Sequence, residues 1–271
     1  MPKKSTSARG NPTALITGAS SGIGEALASC FAAAKHDVVL VARSEGKLKA
    51  LAEKLAAQHG VVVSVQPADL SQPGAAAQLF AKLSRKHTSV DVLVNCAGVL
   101  EQGAFTAIDQ AKHQNIIDLN ISGLTAMLSA FVPGMVARGR GRVLNVASVA
   151  AFQPVPTLAS YAASKAYVLS LSESLSEELR DTGVTVTTLC PGITATNMLT
   201  QAAGSNGKLG QLPGFLVGEV QQVADMAFAA TMQGDAICVP GVINQAAMIA
   251  SRGIPKWLVR RIGGLIGRKA L

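Results

Sequence analysis

The sequence predicts a doubly wound α/β fold: a seven-stranded parallel sheet with helices on both faces, in a single domain. Three observations predict it. Short runs rich in β-branched residues alternate with longer amphipathic ones from about residue 13 to residue 240. The short runs look apolar on both faces, as strands covered on both sides must be. A glycine-rich turn joins the first short run to the first long one. Composition agrees, because 271 residues with 49% hydrophobic and 15% charged are too apolar for disorder and enough to bury a large core.

The strands are expected at 14–17, 37–41, 61–65, 91–94, 141–146, 184–189 and 236–239. Helices are expected near 22–34, 44–58, 72–86, 109–137, 160–181 and 219–233, which gives βαβ units throughout. The one long irregular stretch, about 192–217, follows the sixth strand, and loops of that length in compact domains usually serve function. No run reaches the ~18 uninterrupted apolar residues of a membrane span, and Met1–Ser7 lead into no apolar signal region.

The turn Thr17-Gly18-Ala19-Ser20-Ser21-Gly22-Ile23-Gly24 ends the first strand and opens the first helix. Glycines there let backbone N–H groups approach a pyrophosphate, and the helix dipole favours its charge. At the end of the second strand an NAD site would place an acid for the ribose hydroxyls. This chain has Ala42, then Arg43, with Lys47 one turn on. An arginine can pair with a 2′-phosphate, so NADP(H) is favoured; the alternative is a solvated helix start.

Tyr161 and Lys165 stand at i and i+4 of one helix, within reach of each other. A cation beside a phenol favours its ionised form and moves it toward acid–base work at neutral pH. Ser148 closes the fifth strand, where a carboxyl-terminal side chain faces the ligand crevice and can hold a carbonyl oxygen. The bland alternative is a tyrosine packed by its ring beside a solvated lysine.

Taken together, residues 13–242 resemble the short-chain dehydrogenase/reductase family in its single-domain, Rossmann-fold form. The matching pieces are the 17–24 turn, Ala68-Asp69-Leu70, Asn95-Cys96-Ala97-Gly98, Asn120, Ser148, Tyr161 with Lys165, and Pro191-Gly192 with Thr196. The resemblance implies that Gly18, Ser20, Ser21, Gly22, Ile23 and Gly24 hold the cofactor phosphates. It implies that Asp69 and Leu70 meet the adenine, and that Asn95, Ala97 and Gly98 line the adenosine side and steady the sheet. Pro191, Gly192 and Thr196 would hold the nicotinamide amide. Tyr161 would be the general acid in reduction, Lys165 would hold the nicotinamide ribose, Ser148 would position the carbonyl, and Asn120 would anchor a water in a proton relay. Cys96 stands where the family often has a second asparagine. The resemblance also implies a homodimer or homotetramer built on the helices at 109–137 and 160–181.

The 192–217 loop holds Met198, Leu199, Leu209, Leu212, Phe215, Leu216 and Val217 against a single charge, Lys208, and Val149 to Phe152 are apolar too. A largely apolar carbonyl or alcohol is therefore expected, with Ser148, Phe152, Met198 and Leu199 at the substrate; a 3-oxoacyl thioester reductase is one alternative and lid packing another. A catalytically silent NADP-binding regulatory or scaffold protein would normally show damage at Ser148, Tyr161 or Lys165, and all three are present.

The formal charge of +8 sits at the ends: residues 1–9 carry three bases and 252–271 six, with no acid in either, while 10–251 carry 15 bases and 16 acids. A near-neutral body with 4% aromatics argues against nucleic acid as a partner. The chain divides into a basic tail at 1–12, the domain at 13–251, and a basic amphipathic tail at 252–271. That last tail is expected to pack as a lid or subunit contact or, alternatively, to touch a membrane surface. Cys30, Cys96, Cys190 and Cys238 are expected as buried thiols of a reducing, cytoplasmic compartment. The four histidines, His36, His59, His87 and His113, are expected in solvent, and no metal site is expected.

Overall fold

A computed structural model describes residues 10–194, 218–242, 244, 245 and 248. The strands are β1 (Thr13–Thr17), β2 (Asp37–Ala42), β3 (Val63–Pro67), β4 (Val92–Asn95), β5 (Gly141–Val146), β6 (Val184–Leu189) and β7 (Ile237–Cys238). They form one parallel sheet in the order β3-β2-β1-β4-β5-β6-β7. The helices are α1 (Gly22–Ala33), α2 (Glu45–His59), α3 (Ala75–Arg85), α4 (Gln110–Ile117), α5 (Leu124–Ala137), α6 (Ala159–Glu178) and α7 (Val220–Gln233). A π-helical turn, Asp118–Gly123, makes α4 and α5 one continuous run.

Strand alternation divides the core in two. Ala14, Ile16, Val38, Leu40, Val92 and Val94 face one layer with Leu27, Phe31, Leu48 and Ala227 from α1, α2 and α7. Leu15, Val39, Val41, Leu93 and Val143 face the other with Leu79, Met127, Phe131 and Val168 from α3, α5 and α6. Both faces are buried, which is why the strands read as apolar runs without alternation. The helical run Gln110–Ala137 has the length and apolar content to cross a bilayer, but it buries Leu124, Met127, Leu128, Phe131, Val132 and Met135 in this core.

Three expectations shift. The third strand begins two residues later than expected, because Val63 pairs with Val38 and Pro67 with Ala42, while the Val62 side chain is 69% exposed. The third helix starts at Ala75 because Gly74, at φ 79°, turns the chain just before it. Two of the four thiols, Cys30 and Cys96, are only partly buried.

Candidate active site

Strand order reverses between β1 and β4, which opens a crevice at the carboxyl ends of the strands. A cleft of about 1290 Å³ lies there, lined by the β1–α1 turn, Arg43, Lys47, Asp69, Leu70, Ala97, Gly98, Ser148, Tyr161, Lys165, Pro191 and Gly192. That exceeds the ~300–1,000 Å³ typical of a small-ligand pocket and leaves room for a dinucleotide beside a substrate. A larger hollow of about 1500 Å³ lies at the other end of the sheet, but it contains none of Ser148, Tyr161 and Lys165.

The glycine-turn end of the cleft is built by close approach. Gly18 sits at φ 68°, and a Cβ there would stand 2.9 Å from the Ala97 backbone. Thr17 fixes this contact from beneath, since its Oγ1 accepts from the Cys96 and Ala97 N–H groups at 2.9 and 3.0 Å and donates to the Val94 carbonyl. Ser21 begins α1 without using its side chain as a cap, so the donors of the first turn fit an anion such as a pyrophosphate. Ser20, Ser21, Gly22, Ile23 and Gly24 all line the cleft here.

At the β2 end of the cleft, Arg43 and Lys47 are exposed at the mouth. Burial alone would raise the Asp69 carboxyl, but donors from Ser71 and the charge of Arg43 outweigh it and hold the group below its usual range.

Ser148, Tyr161 and Lys165 meet at the other end. The Ser148 Oγ accepts from the Ala150 N–H at 3.2 Å, which opens a 3₁₀ turn over Val149–Phe152. The Val149 N–H donates to the Pro191 carbonyl and ties that turn to the end of β6. Burial pushes the Tyr161 phenol up, opposed by the neighbouring Ser148 hydroxyl. Lys165 is 6% exposed; burial pushes its ammonium down to about 8, and Nζ donates to the Val146 carbonyl at 2.8 Å. The ammonium stands 5.7 Å from the centre of the Tyr161 ring. The expectation that Lys165 favours the phenolate is therefore corrected for the protein alone: desolvation dominates, and Ser148 supplies the opposing pull.

Asn120 lies in the π-helical turn, almost fully buried. Its amide donates to the Val99 carbonyl and the Ser164 hydroxyl, and its Oδ1 accepts from the Val99 N–H. Both amide protons are thus engaged by protein groups, which pin the chain after β4 beside the start of α6.

Asn95 and Phe152 stand apart from the cleft. Asn95 donates to Asn145 Oδ1 at 2.9 Å inside the sheet, and Asn145 donates in turn to Ser172. Phe152 packs against the core beneath the 3₁₀ turn. Thr196, Met198, Leu199 and the 252–271 tail lie outside the described residues.

Several contributors escaped the sequence reading. Val99, Leu100, Ile108, Val155 and Leu158 also line the cleft; their apolar character was visible, but nothing local showed that loops 100 and 155 converge. Three histidines expected in solvent are partly or fully buried; His59, at the end of α2, is half-buried. His36 is buried edge-on to Phe31, and His113 is half-buried between α4 and α6.

The chain matches the family model described as short chain dehydrogenase over residues 12–206. An uncharacterized oxidoreductase of Staphylococcus saprophyticus is 35% identical over 183 residues, 68% of this chain and 78% of its own. A short-chain dehydrogenase from Sphingobium yanoikuyae, solved in complex with NADPH, is 36% identical with a TM-score of 0.81, covering 89% of this chain and 92% of its own. A bulky-bulky ketone specific alcohol dehydrogenase from Comamonas testosteroni is 30% identical with a TM-score of 0.75, covering 92% and 96%. With its single doubly wound domain, its glycine turn at the strand-order reversal and its Ser148, Tyr161 and Lys165 in one cleft, the chain belongs to the short-chain dehydrogenase/reductase family, enzymes that act on CH–OH and C=O groups with a nicotinamide cofactor.

Proposed function

We propose that this enzyme reduces a bulky, largely apolar ketone at the expense of NADPH. The observation that carries the reading is the convergence of Ser148, Tyr161 and buried Lys165 on one cleft, whose walls there include Val99, Leu100, Ile108, Val155 and Leu158. When bound, the reduced nicotinamide supplies the hydride. Ser148 holds the carbonyl oxygen, and Tyr161, a neutral phenol at working pH, gives its proton to the oxygen as negative charge develops there. Lys165 orients the cofactor ribose and offers a positive charge near the phenol as its proton leaves. Apolar walls receive the flanks of the ketone; among the described residues no arginine lines that part of the cleft to clamp a phosphorylated substrate, and Lys112 there is paired with Glu101.

Arg43 and Lys47 at the adenosine mouth, with Ala42 where an acid would repel a phosphate, support NADPH over NADH. The Sphingobium relative was solved with NADPH and the Comamonas relative acts on bulky ketones, which agree with both parts of the reading. Steady-state kinetics of Arg43→Ala test the cofactor half. KM for NADPH should rise about tenfold or more, the worth of a lost charged contact, with KM for NADH changed by less than about twofold; equal changes would sink the assignment.

A further inference from the structure

We propose that His113 is a positioning residue for the substrate: it latches the loop after β4, one wall of the cleft, to the first turn of the helix that carries Tyr161. The ring lies between two elements that have no covalent reason to meet. Its Nδ1 is 2.8 Å from the Ser160 hydroxyl, and its Nε2 is 3.1 Å from the Phe105 carbonyl. The carbonyl can only accept, so Nε2 carries the proton; in the neutral ring Nδ1 then accepts from the Ser160 hydroxyl. The Phe105 ring stacks on the imidazole at 4.3 Å between centroids and 28° between planes. Both ring nitrogens and one ring face are thus committed to holding this contact.

Two further ties lie in the same loops. The Gly103 N–H donates to the Thr157 carbonyl at 2.9 Å. Thr157 holds φ 70°, a left-handed conformation that a β-branched residue adopts only when its surroundings impose it. On the cofactor side of the loop, Asn120 fixes Val99. The loop is therefore anchored at Val99, Gly103 and Phe105, and its cleft-lining residues Leu100, Ala107 and Ile108 lie within or just beyond these anchors. Val155 and Leu158, on the segment that ends at Ser160, line the same cleft. His113 and Ser160 themselves do not line it; they set the separation of the two apolar walls that do. Among the described residues, the hydrogen bonds and ring contact of His113 reach Ser160 and Phe105, not the glycine turn or Arg43.

This inference rests on the carbonyl-reductase reading for its kinetic arm and on geometry alone for its exchange arm. In His113→Ala, the KM for an aryl ketone should rise about fivefold, the factor that one ordinary hydrogen bond commands, with the Kd for NADPH unchanged. His113→Gln can still donate to the Phe105 carbonyl and should recover part of the loss. Ser160→Ala should raise KM in the same direction, and the double variant His113→Ala/Ser160→Ala should do little more than either alone, because the two residues act through one contact. Independently of any turnover, hydrogen exchange of the Gly103 and Ala107 amides should quicken in His113→Ala while the amides of β1 stay protected. Unaltered exchange in this loop would overturn the latch whatever the kinetics show. Unchanged KM with faster exchange would overturn its role toward substrate. A wild-type enzyme that reduces no ketone, with the exchange result intact, would instead strike the proposed function and leave the latch standing.

Discussion

Lys165 is the residue whose energetics and proposed function conflict most plainly. It is buried, hydrogen-bonded to a neutral carbonyl, and has no ion pair among the described residues. Its folded value of about 8 lies below its ordinary 10.5, so the unfolded chain binds this proton more tightly. Below about pH 8 both states are protonated and the burial cost is fully present; between pH 8 and 10.5 only the unfolded state holds the proton, and stability rises with pH. Lys165→Met should therefore stabilise the protein at pH 7 by about 1–2 kcal/mol, discounted for the lost bond to Val146, while abolishing turnover. Chemical denaturation at pH 7 and pH 10.5 checks this: the gain should vanish at the higher pH, and a destabilised variant at pH 7 would contradict it. A sequence shows that Tyr161 and Lys165 share a helix face. It does not show that burial governs both, because the groups that meet Lys165 in the folded chain, the Val146 carbonyl and the Cys96 and Cys190 thiols, lie on another strand or just beyond strand ends.

At the scale of elements, the fold was legible wherever one periodicity dominated. All seven strands and every helix among the described residues fall close to their expected places, since β-branched runs and amphipathic segments of different length are hard to confuse. The run at 61–65 had too many valines to reveal which of them pair. Its register is set by Val38 to Ala42 across the gap, and an edge position tolerates Pro67. The π-helical turn at Asp118–Gly123 had no local signature either, yet it holds Asn120 where its amide can pin Val99 and Ser164. Close packing accompanies it: a Cβ on Gly123 would stand 2.5 Å from the Leu70 carbonyl, a backbone atom that cannot swing aside. Alanine is the better helix former by ~1 kcal/mol, but the clash should win, so that Gly123→Ala loses roughly 2 kcal/mol. A stability equal to or above wild type in a denaturant titration would show that the contact relaxes easily.

At the scale of the whole molecule, the formal charge of +8 is not a property of the domain. Its excess resides at the two ends, outside the described residues, and the domain itself is close to neutral. What organises the molecule is the reversal of strand order, which brings the glycine turn after β1, the chain after β4 and the Ser148 turn after β5 to one edge. The predicted residues that do line the cleft, among them the glycine turn, Arg43, Asp69, Ser148, Tyr161 and Lys165, each sit in a short local pattern that the sequence displays. The apolar wall could not be read that way, because it is assembled from loops about 50 residues apart in sequence, Leu100 and Ile108 with Val155 and Leu158, and the His113 contact spans 47 residues.

Hydride transfer with Tyr161 as the proton donor leaves a label that can be followed. The most direct measurement incubates an aryl ketone and NADPH deuterated at its transferable position with wild-type enzyme and with Tyr161→Phe, and reads the label in the alcohol by mass spectrometry. Wild type should place one deuterium on the carbinol carbon, while Tyr161→Phe binds NADPH with unchanged affinity and forms product at least about 100-fold more slowly. Unlabelled alcohol from wild type, or equal rates from the two proteins, would contradict it.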